Sequence, residues 1–239
     1  MPNVIVNQRI LRAGGGAATL TPPSFVNVGT EDNTSPGLPS GWTAGDLHIL
    51  VALQTCLSTS GAVISDHSTP AGWTSLIAPL IGANGGGGGN VIFGGSRLQI
   101  FYRIAAGGDT APTLTGGTGD YFINYVLGYH GVLASGPIEA TASTALSAAG
   151  ASSFAYNTIT TLGPARTVLQ IFAGGGGPAS SLPDTGWTER VDRSEVAQRI
   201  VMGINEREFL AAGAISAGNI TFSSAPDVMT RVALAIVPA

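Results

Sequence analysis

Lysine is absent from the sequence, and charge of either sign is scarce. All ten basic residues are arginines, set against fourteen acidic residues, so the net charge is −4 at pH 7. Without lysine the chain has no P-loop, whose Gly-Lys-Ser/Thr end holds nucleotide phosphates. The acidic balance leaves no basic stripe for a nucleic-acid backbone, so we expect no nucleic-acid partner.

Cysteine and long apolar runs are also nearly missing. The single cysteine, Cys56, excludes an intramolecular disulfide, and its apolar surroundings in Leu50–Leu57 predict a small buried side chain. The sequence has no N-terminal secretory signal and no run near the roughly 20 apolar residues of a membrane helix. We therefore expect synthesis in the cytoplasm, no membrane partner, and a chain that is soluble or joins an assembly.

What the sequence does contain is typical of strands and turns. Apolar residues make up 44% of the chain and charged residues only 10%, against roughly 25% charged in an average soluble domain. Glycine and proline separate short runs rich in valine, isoleucine, phenylalanine and threonine, which predicts an all-β fold, a jelly-roll-like β-sandwich. The clearest predicted strands are Leu47–Leu53, Arg97–Ile104, Phe122–Tyr129, Thr167–Phe172, Arg199–Asn205 and Arg231–Val237; weaker ones are Val4–Leu11, Thr113–Thr115, Ser153–Thr160 and Asn219–Ser223.

The segment from Glu189 to Glu208 departs from this pattern because it concentrates nine charged residues. A charged loop that leads into the strand at Arg199–Asn205 is the favoured interpretation. Four apolar residues also fit a helical stripe, so a helix stays an open alternative: Val191, Val196, Ile200 and Ile204.

Two parts of the chain repeat the same order of features, over residues 45–132 and 165–238. Each passes through a strand, a Pro/Gly turn before a tryptophan, a second strand and a last strand. Each unit alone is too small to bury an apolar face, so the two would pair into one sandwich. We predict one domain, residues 24–239, built from these pseudo-repeats and preceded by an extended N-terminal arm, residues 1–23. The alternative is that any β protein punctuated by glycine and tryptophan aligns with itself.

Two apolar segments are candidates for contact with neighbouring subunits. The alternating start of the arm could add a strand to a neighbour, and its contact candidates are Val4, Ile5, Val6 and Ile10. The other segment, residues 82–95, contains eight glycines around an apolar triplet, whose members are Val91, Ile92 and Phe93. The slightly favoured interpretation for this segment is that it is a loop that folds Phe93 back onto its own sandwich.

No pattern of residues points to catalysis, to a metal or to a cofactor. The three histidines lack metal-ligand spacing, Gly-x-Ser-x-Gly does not occur, and the acidic residues stand apart in turn-like surroundings. We expect His48 to pack within a strand and His67 to lie in a solvated loop. The sequence therefore predicts a protein without catalytic residues, a metal site or a cofactor.

All three tryptophans lie in Gly-Trp-Thr. For Trp73 and Trp187, a Pro/Gly turn would bring the ring over the end of the core as the chain enters a strand. Trp42 lies outside the repeats and is the glycan-binding candidate, because exposed aromatic rings stack on sugar faces. Capping of the core is nevertheless the favoured interpretation for Trp42 as well.

Three motifs together resemble a known family. They are Pro39 followed by Gly45-Asp46-Leu47, then Pro70-Ala71-Gly72-Trp73-Thr74, then Leu98-Gln99-Ile100-Phe101-Tyr102-Arg103-Ile104-Ala105. The chain is similar, over most of Thr19–Ala239, to the β-sandwich proteins with a GDLL, PxGWT and vfyR pattern among tailed-bacteriophage structural genes. It departs from them by the Gly82–Gly95 insert and by Gly41-Trp42-Thr43. The resemblance implies a virion component without a fixed catalytic site.

We therefore expect a non-enzymatic structural protein of the virion surface, assembled in the host cytoplasm. Capsid decoration and a place in a tail or head fibre are both consistent with the resemblance. The partners would be the major capsid or tail protein and further copies of the chain, with a trimer as one candidate state. The alternative is a carbohydrate- or receptor-binding module of a tail fibre, with a host surface glycan as partner. A cell-envelope hydrolase ranks third.

Overall fold

The computed structural model describes residues 20–56, 64–82, 95–147, 151–176, 180–215 and 218–239. These residues are all-β, as predicted, with one short 3-10 turn at Val196–Gln198. The strands of the first half are β1 (Ser24–Val28), β2 (Leu47–Thr55), β3 (Thr74–Ser75), β4 (Leu80–Gly82), β5 (Ser96–Ile104) and β6 (Tyr121–His130). Those of the second half are β7 (Ile138–Ser147), β8 (Ser153–Ala155), β9 (Ile159–Thr161), β10 (Arg166–Gly175), β11 (Ser181–Pro183), β12 (Thr188–Glu195), β13 (Ile200–Phe209), β14 (Gly213–Ile215), β15 (Asn219–Phe222) and β16 (Val228–Ile236).

Two large antiparallel sheets form the centre of the structure. The first has the strand order β1-β6-β2-β5-β3, with β4 also paired to β5, and the second has the order β12-β13-β10-β16-β7. Two smaller sheets, β11-β15-β8 and β14-β9, come from the second half of the chain. In a jelly roll the chain crosses repeatedly between the two sheets. Here each large sheet is instead built from one continuous half of the chain.

The two large sheets have the same strand order once their different chain positions are allowed for. In each, the first strand pairs with the last, the last with a central strand (β2 or β10), and that strand with the one before the last (β5 or β13). A duplication of one β unit would produce this shared order. The duplication itself stays a prediction, and so do the bounds of the arm and of the repeats.

The sheets face each other across one apolar core in a β-sandwich-like arrangement. Alternate residues of β2, among them Ile49 and Val51, point into this core and meet residues of β10 such as Leu169 and Ile171. The opposite faces are covered as well. Leu38, Trp73 and Leu114 lie on the first sheet, and the two smaller sheets lie on the second. Because both faces are covered, β2 and β10 are buried along their whole lengths, which explains why they are nearly uncharged.

One polar bridge joins the two sheets at the edge of the core. The Tyr129 hydroxyl donates to Oε2 of Glu206 (2.8 Å), and Nη2 of Arg190 donates to Oε1 of the same carboxylate (2.7 Å). The Arg190 guanidinium also lies 4.2 Å above the ring of Phe25. Burial raises the pKa of Tyr129 well above its usual value, so the hydroxyl keeps its proton and remains a donor.

The six clearest predicted strands and the weaker one at Asn219–Ser223 are confirmed by strands at those places. Thr113–Thr115 is not a strand, and Ser153–Thr160 contains β8 and the start of β9 with a break between them. The charged loop predicted after Glu189 is wrong, and so is its helical alternative, because that stretch forms β12, a 3-10 turn and β13. The predicted strand at Val4–Leu11 lies outside the described residues.

Candidate subunit-contact surface

One end of the sandwich collects chain segments from both halves of the sequence. There β2 and β10 begin and β6, β13 and β16 end, since Leu47 pairs with Tyr129, Thr167 pairs with Ile236, and Arg166 pairs with Phe209. The carbonyl of Pro23 accepts a hydrogen bond from the Thr167 hydroxyl (2.6 Å) and so holds the chain before β1 at the same end. We call this end of the sandwich the leucine end.

The name comes from four exposed leucines, which are four of the six large apolar side chains most exposed among the described residues. Leu162 is 80% exposed and Leu210, directly after β13, is 73% exposed; Leu20 and Leu133 are 42% and 40% exposed. Leu162 is fixed here because its N–H donates to Glu139 (2.9 Å), whose other carboxylate oxygen accepts from Arg166 (2.8 Å). Leu133 is fixed by a bond from its N–H to the carbonyl of Val237 (2.9 Å).

A cluster of aromatic rings lies on the first sheet near the same end. Trp42 is half-buried, with its ring edge-on to His48 at 5.2 Å between centroids. His48 also stacks against Trp73 at 6.4 Å between centroids, and the Arg103 guanidinium lies 4.6 Å above the Trp73 ring. The arrangement packs Trp42 against its neighbours and leaves only part of its surface for a ligand. It therefore fits the capping interpretation better than a flat platform for sugars.

His48 is completely buried, and among the described residues neither of its ring nitrogens has a hydrogen-bond partner. Burial lowers its pKa from 6.5 to about 4, with the charge of Arg103 acting in the same direction. His67 was expected in a solvated loop, but it is buried as well, and burial also lowers its pKa. The main chain of His67 is held by Gln99, whose amide accepts from the His67 N–H (2.7 Å) and donates to its carbonyl (3.0 Å).

A histidine–aspartate pair holds the loop before β2 to the last residue of β6. Nδ1 of His130 lies 2.7 Å from Oδ1 of the buried Asp46. The same carboxylate accepts the N–H of Thr43 (2.6 Å), next to Trp42 in the chain. The pair thus explains the position of the Trp42 loop at the leucine end.

A separate pocket of about 320 Å³ lies on the small sheet β11-β15-β8. It is lined by Leu182, Pro183, Asp184, Thr185, Asn219 and Thr221. None of these six was singled out as a ligand-binding candidate from the sequence, where the acidic residues were assigned to turn-like surroundings. These residues, which are distant in the sequence, come together because β11 pairs with β15.

Of the residues predicted from the sequence to bind a glycan or contact a subunit, only Trp42 lies among the described residues. Trp42 lies at the leucine end, whereas two sets of contact candidates lie outside the described residues: Val4, Ile5, Val6 and Ile10, and Val91, Ile92 and Phe93. Sequence reasoning missed the four exposed leucines. Their signal is weak, since each is an isolated leucine beside a strand end and not part of an alternating pattern.

Within the described ranges, no three histidine, cysteine, aspartate or glutamate side chains gather in a way that could hold a metal ion. No helix in those ranges has the length and apolarity needed to cross a membrane. Comparisons with protein-family models, with curated proteins and with solved structures find no match to the chain.

Proposed function

We propose that this chain is a non-enzymatic structural protein on the surface of a tailed-phage virion, and that it works through contacts between subunits. The observation that carries the proposal is the leucine end. Four exposed leucines from distant parts of the sequence lie at the end of the sandwich where the chain before β1 is held.

The energetics of burial favour a partner at this end. Fully burying one leucine side chain stabilises a complex by about 1.5–3 kcal/mol. Leu162 and Leu210 gain little of this in the isolated chain, because most of their surface is in contact with water. Stable protein contacts bury on the order of 800 Å² on each partner and are depleted in charge at their centre. A chain with only 10% charged residues is well suited to such contacts.

The partner we propose is a further copy of the chain or the major capsid or tail protein. The alternating segment Val4–Ile10 precedes Leu20 by about ten residues, so it would leave the sandwich beside the leucine end and could reach a neighbour. The virion assignment rests on the GDLL, PxGWT and vfyR-like motifs. The contact mechanism rests on the leucines and does not depend on those motifs.

The test compares three variants of the full chain with the wild type. Leu162→Ser combined with Leu210→Ser removes the apolar surface, deletion of residues 1–12 removes the arm, and Leu182→Ser changes an equally exposed leucine elsewhere. We expect the first two to reduce self-association in light scattering, or co-sedimentation with phage particles, by about tenfold. The Leu182 control should behave as the wild type.

The leucine variants must keep the wild-type melting temperature, since the side chains of Leu162, Leu210 and Leu182 are exposed. A wild type that is monomeric at high concentration and also fails to co-sediment with particles would overturn the proposal. Full association of the double leucine variant would show that the contact lies elsewhere and would equally refute it.

A further inference from the structure

The pocket on the small sheet β11-β15-β8 is separate from the proposed contact residues, since none of the four leucines of the leucine end lines it. Its walls come from two paired strands and the turn between β11 and β12. Leu182 is paired with Thr221, and Pro183 with Ile220. Asn219, Asp184 and Thr185 complete the lining, and Leu182 is 69% exposed. This is therefore an open pocket with one apolar wall and several polar groups.

Buried aromatic side chains hold the turn of the pocket in place. The backbone N–H of Trp187 donates to the backbone carbonyl of Asp184 (3.1 Å). Gly186 supplies the positive φ of 85° that this turn requires. The Trp187 ring is buried and packs 4.4 Å from the Tyr156 ring, whose hydroxyl accepts the Asp184 N–H (3.3 Å). The position of Asp184 is thus set before any ligand arrives, which reduces the entropy lost on binding.

The Asp184 carboxylate is oriented by two backbone groups. Oδ1 accepts the N–H of Thr185 (2.8 Å), and Oδ2 accepts the N–H of Asn219 (3.3 Å). A carboxylate offers about four acceptor positions, so acceptor capacity remains at both oxygens. The side chains of Asn219, Thr185 and Thr221 add amide and hydroxyl groups that donate as well as accept.

These groups restrict the chemical class of the ligand. None of the six lining residues is cationic, so the lining itself offers a phosphate, sulfate or carboxylate no positive charge to offset that of Asp184. An apolar ligand would remove several polar groups from water without replacing their hydrogen bonds. A neutral molecule with neighbouring hydroxyls satisfies both conditions. The carboxylate and amide bind its hydroxyls, and Leu182 with Pro183 contacts its C–H face.

We propose that this pocket binds a neutral saccharide through Asp184, Asn219 and Thr221. Its volume of about 320 Å³ lies at the lower end of the roughly 300–1,000 Å³ of small-molecule sites, which suits one or two sugar rings. The site is distinct from Trp42 and places glycan recognition on the second half of the chain.

The experiment is saturation-transfer difference NMR of the full chain with the methyl glycosides of glucose, galactose, mannose and N-acetylglucosamine. We expect at least one of them to bind with a Kd on the order of 1 mM and inorganic phosphate not to compete. Asp184→Asn and Thr221→Val should each weaken binding by about tenfold. Leu162→Ala, which changes an exposed leucine that does not line the pocket, should leave it unchanged.

Melting curves separate loss of binding from loss of structure. Asp184→Asn alters a turn and could unfold the protein. In that case binding is compared in Thr221→Val and Leu182→Ala, whose side chains are exposed on strands. Failure of all four glycosides to bind the wild type would overturn the proposal. Undiminished binding by folded Thr221→Val and Leu182→Ala would overturn it as well. The light-scattering test of the leucine end is independent of either result.

Discussion

At the scale of single residues, His48 shows how burial controls a titratable group. Its ring lies between Trp42 and Trp73 on the covered face of the first sheet, away from water. The charges of Asp109 and Asp46 favour the protonated form but are outweighed by burial and by the charge of Arg103, which lower the pKa of His48 to about 4. The folded protein therefore keeps this imidazole neutral.

This burial predicts a stability that depends on pH. Between pH 6.5 and pH 4 the unfolded chain binds a proton at His48 that the folded chain does not. The contribution of His48 to the free energy of unfolding should therefore be largest above pH 6.5 and should fall by about 2 kcal/mol between pH 7.0 and pH 4.5. Urea unfolding at pH 7.0 and pH 4.5 measures the difference.

The control for this prediction is His48→Phe, which keeps an aromatic ring but does not titrate. The variant should lose less stability between the two pH values than the wild type does. The drop does not vanish completely, because burial also lowers the pKa of His67. An equal drop in both proteins would contradict the role of His48.

A second feature at this scale is the use of buried amides to hold loops. Gln170 accepts the N–H of Asn157 (3.1 Å) and donates to its carbonyl (2.9 Å), as Gln99 does for His67. A buried glutamine bonded in this way satisfies the backbone hydrogen-bonding groups of a loop residue and those of its own side-chain amide. The sequence placed these glutamines in predicted strands but contained no sign of the loops they hold, so the burial of His67 was missed.

At the scale of elements, the turns before Trp73 and Trp187 are alike in both halves. Gly72 and Gly186 have φ angles of 77° and 85°, and each is followed by a tryptophan. The backbone N–H of that tryptophan donates across the turn to a carbonyl three residues earlier, at 3.1 Å in both turns. These angles lie in the left-handed region, where a Cβ atom clashes with the backbone. Both turns carry a buried ring onto the outer face of a large sheet.

Replacing either glycine by alanine should therefore destabilise the fold by about 1–2 kcal/mol, with similar values for Gly72→Ala and Gly186→Ala. Gly107→Ala is the matched control, since Gly107 lies outside the left-handed region and its Cβ would meet nothing within 4 Å. Chemical unfolding of the three variants supplies the comparison. The interpretation of the turns fails if Gly72→Ala costs no more than Gly107→Ala.

The strand β12 shows why charge misled the prediction. Its charged side chains find partners on other elements: Arg190 bonds to Glu206, Arg193 to Glu31 (2.6 Å), and Asp192 to the N–H of Ser181 (2.8 Å). Only Val191 points into the common core. A strand with one core residue and several charges has no alternating pattern, so a loop was the natural expectation from the sequence.

At the scale of the whole molecule, the two halves share one core. Each large sheet exposes an apolar inner face if its partner is removed, and the Tyr129–Glu206 bond would be broken. We therefore regard the described part of the chain as one cooperative unit, not as two domains joined by a linker. This follows from the way burial of apolar surface stabilises packed sheets.

Splitting the chain tests this unit directly. A cut between Ser135 and Gly136, in an exposed turn, separates the sheets without removing a strand. We expect neither fragment to show dispersed amide signals by NMR when it is alone, because its apolar inner face stays in water. Mixing the fragments should restore the signals. Well-dispersed spectra from either isolated half would show that the halves are independent domains.

The sequence by itself determined the class of the fold, the position of its central strands and the turns before two tryptophans. These features depend on local patterns of apolar residues, glycine and proline, which act over a few neighbours in the chain. The tertiary structure alone decided the burial of His67, the strand character of β12, the placement of four exposed leucines at one end and the pocket around Asp184. Each of these needs residues far apart in the sequence to become neighbours, because a loop, a charge or an exposed leucine acquires its environment only when the sheets pack.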